Sequence, residues 1–363
     1  MLFLNWRDTR HLEGGGSERY VEEVAQGLAA QGDDVEIFCA AHPDAPPDET
    51  VDGVRFRRRG TRLTVYLRAM WHVLRRSRRG DVDVVIDTQN GMPYFSVLVA
   101  RCPVIVLVHH VHREQWPVAV PAPVAKFGWW IESWLAPRLY RRCQYVAVSG
   151  ITRDELVDLG VDSDRIAVVP NGTYPPPKVF SQRSPTPRLI AVGRLVPHKR
   201  LEHAIDVVAE LRHRWPTLEL DIVGQGWWHD KIVEHAAARG VADRVRLHGY
   251  VDEQAKHELL ARAWLHLVPS LKEGWGIVVM EAAVHGVPTV AYANAGGVAE
   301  SIVAGTTGEL AAHRQHFAAQ VARLLADDAA RLTQGEAAQE RALTFGWANS
   351  LKAFSALLPR PPR

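Results

Sequence analysis

Residues 189–200 read Leu-Ile-Ala-Val-Gly-Arg-Leu-Val-Pro-His-Lys-Arg. Leu189–Val192 is a short run apolar on both faces, as a strand covered by helices requires. Gly193 permits a turn. Arg194 and Lys199 then flank that turn, and an amphipathic segment, Arg200–Arg214, predicts a helix. Strand, glycine turn and helix in succession form the unit of a parallel α/β sheet.

The same rhythm runs outward in both directions. Downstream, strands are expected at Leu218–Val223, Val245–Leu247, Leu265–Val268 and Thr289–Ala291, with helices at Asp230–Arg239, Glu253–Ala263, Gly276–His285 and His316–Leu325. Upstream, strands are expected at Leu2–Asn5, Val35–Cys39, Val54–Arg58, Val82–Asp87, Val104–Val108 and Tyr145–Val148. The upstream helical patterns are Ser17–Ala30, Leu63–Arg76, Pro93–Ala100 and Thr152–Leu159. This alternation, twice over, predicts α/β architecture with two doubly wound, Rossmann-like domains. The length of 363 residues suits two domains of roughly 150 residues each. Pro170-Asn171-Gly172, Pro175-Pro176-Pro177 and the polar stretch Ser181–Pro187 mark a linker near residues 173–187. The expected domains are therefore 1–172 and 188–340, with 341–363 returning towards the first.

Composition excludes several classes. Apolar residues are 47% and charged residues 23%, which fits neither a disordered chain nor a fibrous repeat. Three scattered cysteines, Cys39, Cys102 and Cys143, argue for a reducing, cytoplasmic compartment and against a zinc site. The apolar start is too short for a signal peptide. Val120–Pro137 is interrupted by Lys126 and Glu132, so no membrane span is expected. The net charge is only +2, yet Arg55–Arg79 holds ten arginines and no acid. Beside those arginines Leu63, Tyr66, Leu67, Met70, Trp71 and Leu74 form an apolar stripe. The segment reads as a sheet-packed helix with a solvated basic face, or as a peripheral hold on the inner face of an anionic membrane. Nucleic acid is not expected as a partner, because no recognition motif accompanies the charge.

Four motifs carry chemistry. Gly14-Gly15-Gly16-Ser17 opens a helix and lets backbone approach a ligand closely; a plain turn with Ser17 as N-cap is the alternative. Gly193–Arg200 sets cations over a strand end, where a diphosphate would sit. In Glu273-Gly274-Trp275-Gly276-Ile277-Val278-Val279-Met280-Glu281, a helix starting at Gly276 offers the N–H groups of Ile277 and Val278 to a phosphate. Glu273 is then on the preceding loop and Glu281 inside the helix. The last motif is His109-His110-Val111-His112. Alternation puts His110 and His112 on one face and His109 on the other, which leaves a metal reading without a carboxylate except Glu114. Asp81-Val82-Asp83 and Asp162-Ser163-Asp164 lie outside the expected donor domain, and neither reads as a metal clamp. No metal or cofactor is expected.

In order and spacing these motifs, with Val223–Gly226, His248–Val251 and Ala295–Gly297, resemble the retaining glycosyltransferases of family 4. The resemblance implies a GT-B fold and a nucleotide-sugar donor, with a glycan or lipid-linked acceptor. Arg194 and Lys199 would bind the donor diphosphate, with Gly193 permitting their turn. Glu273 would meet the transferred sugar and Glu281 the ribose. Tyr250 and Val251 would meet the base through backbone groups, and Gly276, Ile277 and Val278 the phosphate. Gly15 and Gly16 would close on that phosphate from the other domain. His109 fits the place of a histidine facing the donor sugar, with His110 the alternative. Arg113–Trp116 departs from the family's pattern and is read as shaping the acceptor site. The Gly193–Arg200 form is similar to that of bacterial mannosyltransferases, which favours GDP-mannose over UDP-glucose. A non-catalytic sugar-nucleotide binder is the reading from another class. A dinucleotide dehydrogenase is disfavoured, since Val223–Trp227 lacks the third glycine such a site needs.

Overall fold

The computed structural model describes residues 1–359. Residues 360–363, the end of the expected 341–363 segment, lie outside the described residues. The chain divides into two compact units: Met1–Gly172 joined by the chain from Trp347 onwards, and Thr173–Gly346.

The first unit holds an eight-stranded sheet. Its strands are β1 (Leu2–Leu4), β2 (Val35–Cys39), β3 (Asp48–Val51), β4 (Val54–Arg58), β5 (Val85–Gln89), β6 (Val104–Val108), β7 (Gln144–Ala147) and β8 (Ile166–Val168). They run in the order β3-β4-β2-β1-β5-β6-β7-β8. All neighbours are parallel except β3 and β4, a hairpin turned by Asp52 (φ 49°) and Gly53 (φ 80°), both in the left-handed region such tight turns demand. Phe3 pairs with Ile37 on one side and Ile86 on the other, so strand order reverses at β1. A crevice at the carboxyl ends of β1 and β5 follows, where open α/β sheets bind ligands.

The connecting helices are α1 (Gly16–Ala30), α2 (Val65–Arg79), α3 (Trp116–Ala119), α4 (Ala122–Trp130), α5 (Ala136–Leu139) and α6 (Gly150–Asp158). A single π turn, Ile131–Leu135, joins α4 to α5. The expected helix at Pro93–Ala100 is only a 3₁₀ turn at Ser96–Leu98. The buried Asp87 carboxylate explains it: it accepts from Tyr94 N and Ser96 N, and from Ser96 Oγ and Tyr140 Oη, which diverts those N–H groups from helical bonding. Burial pushes the Asp87 carboxyl up despite these donors.

The Arg55–Arg79 run is not a free band of charge. Arg58 is buried on Asp8 and Glu49. Arg55 pairs with Asp34, Arg57 and Arg59 with Asp48, and Arg76 with Glu36 and Asp81. The apolar stripe also differs from expectation. α2 buries Val65, Ala69 and Val73, while Leu63, Leu67 and Trp71 face water.

The second unit is a wholly parallel six-stranded sheet, β11-β10-β9-β12-β13-β14. Its strands are β9 (Arg188–Val192), β10 (Glu219–Val223), β11 (Val245–Gly249), β12 (Leu265–Val268), β13 (Thr289–Tyr292) and β14 (Gly308–Ala311). Its helices are α7 (Glu202–Leu211), α8 (His229–Ala238), α9 (Glu253–Arg262), α10 (Ile277–Ala283), α11 (Val298–Ser301), α12 (Arg314–Ala326) and α13 (Asp328–Leu343). Order reverses between β9 and β12, giving a second crevice. The last helix, α14 (Trp347–Ser355), belongs to the first unit. Its Phe354 is fully buried and stacks on Phe3, ring centroids 6.1 Å apart. Among the described residues no helix is long and apolar enough to cross a membrane.

Candidate active site

In the second unit, the loops after β9 and β12 meet at the switch point. Leu271 N donates to His198 O at 2.8 Å. Across this contact Lys199 Nζ donates to Glu273 Oε1 at 2.5 Å, and Ser270 Oγ to the same oxygen at 2.7 Å. Burial would raise the Glu273 carboxyl, but the Lys199 ammonium and the Ser270 hydroxyl outweigh it and hold it below the ordinary value. The Glu273 backbone is fixed as well. Its N–H donates to Ala295 O, and its carbonyl accepts from Gly297 N, each at 2.9 Å. Gly296 (φ 71°) lies against that carbonyl, where a Cβ would come within 2.6 Å. Both glycines of Ala295–Gly297 thus serve to seat Glu273.

Gly193, Arg194 and Lys199 share one loop, and Arg194 is half-buried in it. The Val223–Gly226 motif lies beneath. Val223 O accepts from Gly193 N at 2.9 Å and Gln225 O from Leu195 N at 3.0 Å. A Cβ on Gly224 or Gly226 would collide with the carbonyl of Gly193 or Leu195. Gly276 (φ 87°) caps α10 in the left-handed conformation. Ile277 and Val278 form the first turn, whose N–H groups have no partner inside the helix.

Glu281, inside α10, is brought to a different neighbour. Lys256 Nζ on α9 contacts it at 2.8 Å and Glu253 at 2.9 Å. Burial would lower the Lys256 ammonium, yet Glu281 and Glu253 together raise it. Tyr250 is exposed just past β11, while Val251 packs against the core around Ile190 and Leu260. His248 does not face the crevice groups; its Nε2 is 2.7 Å from Asp221 Oδ1.

In the first unit, Gly15 rather than Ser17 is the N-cap of α1, and Gly16 begins the helix. The Gly15 N–H is already engaged. It donates to Glu18 Oε2 at 2.8 Å, and Glu18 Oε1 is held by Arg7 Nε at 3.2 Å. A carboxylate therefore occupies the helix start that the sequence reading assigns to a phosphate.

His109 follows β6 directly and is 4% exposed. Tyr20 meets its ring edge-on at 5.5 Å, and Thr152 Oγ1 donates to its carbonyl. Its Nε2 is buried with no partner among the described residues. Burial pushes the imidazole down to about 4, so it is neutral near pH 7. His110 and His112 lie together on the other side, ring centroids 4.1 Å apart.

Glu132 is the residue that sequence reasoning missed. It sits in the π turn, fully buried, and gathers the segment after β6. It accepts from His112 N at 3.1 Å, contacts His112 Nδ1 at 3.0 Å and accepts from Trp116 Nε1 at 2.7 Å. The Trp116 ring rests against Gly91 and Gly128, where a Cβ would come within 2.8 and 2.6 Å of it. The available signal was a lone acid inside an otherwise apolar run. Asp81 pairs with Arg76, and Asp162 accepts from Asp164 N. No three His, Cys, Asp or Glu side chains gather as a metal site among the described residues.

Comparison with known proteins covers most of the chain. Residues 14–176 match the family described as Glycosyltransferase Family 4, and residues 177–341 the family described as Glycosyl transferases group 1. The glycogen synthase of Mycobacterium tuberculosis is 28% identical, over 92% of this chain and 88% of that protein. The MMP alpha-(1→4)-mannosyltransferase of Mycolicibacterium hassiacum is 30% identical, over 74% and 68% respectively. Among solved structures, Anabaena HepE in complex with UDP-glucose superposes with a TM-score of 0.75 at 18% identity, covering 98% of each chain.

Proposed function

Because the chain belongs to the family 4 glycosyltransferases, nucleotide-sugar-dependent enzymes of GT-B fold, we propose that it moves a mannosyl group from GDP-mannose, with retention, to a hydroxyl of a glycan or lipid-linked acceptor. The observation that carries the catalytic reading is the Lys199–Glu273 pair at the β9/β12 switch point. An ammonium has three donors. One is used on Glu273, and two remain for the diphosphate. Arg194 adds a planar fork to the same anion. Glu273, kept ionised by Lys199, accepts from hydroxyls of the sugar. As the bond to the diphosphate stretches, positive charge grows at the anomeric carbon and negative charge on the leaving phosphate. Cations and the first turn of α10 stabilise the latter, as donors fixed in advance do in an oxyanion hole. The acceptor hydroxyl enters on the face the diphosphate leaves and gives its proton to a phosphate oxygen.

The remaining assignments follow the same logic. Glu281 takes the ribose hydroxyls, with Lys256 holding it in place. The backbone at Tyr250 and Val251 takes the base. His109 is neutral and has an open Nε2, which suits a hydroxyl of the donor sugar better than a phosphate. The Gly15 N–H becomes available to an anion only if Glu18 gives it up.

Mannosyl transfer is supported by the mannosyltransferase relative and by the Gly193–Arg200 sequence. Glucosyl transfer is the second reading, favoured by the glycogen synthase relative and by the neighbour solved with UDP-glucose. A panel of GDP-mannose, UDP-glucose, GDP and UDP in thermal-shift titrations separates the two, since a ligand at 100 times its Kd stabilises by about 2.7 kcal/mol. Stabilisation by GDP and GDP-mannose alone is expected. Stabilisation by the uridine pair alone replaces mannose with glucose, and no response to any nucleotide removes the donor site.

A further inference from the structure

The first unit exposes a row of aromatic rings that the site does not use. Phe127, Trp130 and Trp134 lie along one side of the continuous helical stretch from α4 through the π turn to α5. Phe127 and Trp130 stack with centroids 6.0 Å apart and planes 22° apart, and Trp130 and Trp134 at 5.4 Å and 19°. The Arg138 guanidinium closes the row, 4.4 Å over the Trp134 ring. The row is open to water, with Phe127 61% and both tryptophans 45% exposed.

A second apolar stripe accompanies it. Leu63, Leu67 and Trp71, in and just before α2, are 77%, 73% and 60% exposed. The two stripes share a layer. Buried residues of α2 (Val65, Ala69, Val73) and of α5 (Ala136) join one core cluster with Leu2, Leu4, Val104 and Val106. These strand positions alternate by two, so they lie on one face of the sheet. The outward sides of α2 and of the α4–α5 stretch therefore both turn away from that face.

The exposed charge carried by the two segments themselves is basic. From Gln115 to Arg153 the chain has a single acid, Glu132, and it is buried beneath Trp116 and His112. The cations of that segment, Lys126, Arg138, Arg141, Arg142 and Arg153, are exposed. α2 has no acid and exposes Arg68, Arg75, Arg78 and Arg79.

From these observations we infer that the outer surface of the α2 and α4–α5 layer docks on an anionic lipid surface. Indole and phenyl rings enter at headgroup depth, where such amphipathic rings are stable, and the arginines meet lipid phosphates. This places membrane contact on the aromatic row as well as on α2, and not on the Arg55–Arg59 strand, whose arginines are taken by acids of the same unit. The inference is independent of which sugar is transferred.

The test uses the full chain and co-sedimentation with two vesicles, pure phosphatidylcholine and equal parts phosphatidylcholine and phosphatidylglycerol. Binding is expected to the second only. It should drop several-fold as salt shortens the screening length from about 30 Å at 0.01 M to about 8 Å at 0.15 M. A Trp130→Ser, Trp134→Ser double variant should bind roughly tenfold more weakly, with unchanged melting temperature and nucleotide binding. An Arg138→Gln, Arg141→Gln, Arg142→Gln triple variant should weaken binding and flatten its salt dependence. Wild-type protein that ignores anionic vesicles at low salt overturns the assignment. So does a double variant that binds as the wild type does. If sedimentation without lipid shows a dimer that the double variant abolishes, and vesicles are not bound, the surface is a contact between two copies.

Discussion

At the carboxyl end of the second unit's sheet, acid and ammonium are already joined: Lys199 on Glu273 at 2.5 Å, Lys256 on Glu281 at 2.8 Å. Beside the first unit's switch point, past β6, stands an uncharged imidazole, His109, whose Nε2 has no partner among the described residues. The two sheets are built by the same strand–helix rule, yet the second unit's crevice presents paired charges, while the first holds a neutral imidazole in a dry place beside its own Arg7–Glu18 pair. Fixed, paired charges suit an anion whose charge grows during reaction, because they need no reorganisation at that moment. A neutral imidazole suits hydroxyls. On this contrast the proposed nucleotide groups of the second unit suit an anion, and His109 of the first suits a hydroxyl.

The largest test falls on Glu273. Glu273→Gln should lower kcat by roughly 10²–10³, the scale of losing one transition-state contact, with the affinity for free nucleoside diphosphate unchanged. Glu281→Gln should instead raise the donor KM and weaken that nucleotide. Steady-state kinetics with calorimetry distinguishes them. Equal weakening of the nucleotide by both would erase the division within the second unit.

His109 tests the other side. Its pKa is about 4 in the folded chain and near 6.5 unfolded, so the unfolded state binds more protons between those values. Stability from this group is complete above pH 6.5 and falls as pH drops towards 4, by on the order of 2–3 kcal/mol. Urea unfolding at pH 7 and pH 4.5 should show a smaller acid loss in His109→Phe than in the wild type. An unchanged difference would mean that the histidine is solvated and charged.

Lys199→Ala should weaken nucleoside diphosphate binding by about 1.5–3 kcal/mol, as charge-assisted hydrogen bonds do. It also releases Glu273 from the ammonium that keeps its carboxyl low. The acid limb of kcat/KM should then move to higher pH. A limb that stays in place would separate Glu273 from Lys199.

The smallest effect is expected at Glu132, which positions His112 and Trp116. Glu132→Gln keeps the shape but removes one acceptor, so acceptor KM should rise by roughly tenfold while nucleotide affinity stays constant. A change in nucleotide affinity instead would draw Glu132 into the donor half and blur the contrast.

The fold was legible where physics is local. β2, β4, β6 and β12 have the expected bounds because Val- and Ile-rich runs sandwiched by helices admit little else. β3 escaped, being a short polar edge strand, Asp-Glu-Thr-Val, that needs only one neighbour. The α3–α5 stretch also escaped: it is short pieces punctuated by proline, and in the structure Pro117, Pro123 and Pro137 lie at the starts of helical pieces, where a missing N–H costs little. At the site, Gly276 and the Glu273 loop fell where spacing put them. The partners did not. Lys256 reaches Glu281 over 25 residues and Glu132 reaches Trp116 and His112 over 16 and 20, beyond a local sequence pattern, while Ser270 and Glu18 lie only three residues from Glu273 and Gly15 but carry no pattern that marks them as partners.

The Phe3–Phe354 stack has a consequence in time. Phe3 is made roughly 350 residues before Phe354. At roughly 5–20 residues per second, the nascent first sheet waits tens of seconds for α14, while the whole second unit emerges and is free to fold. Through that interval the pocket for Phe354 stands open, so the enzyme's exposure to chaperones and proteases should be greatest before α14 leaves the ribosome.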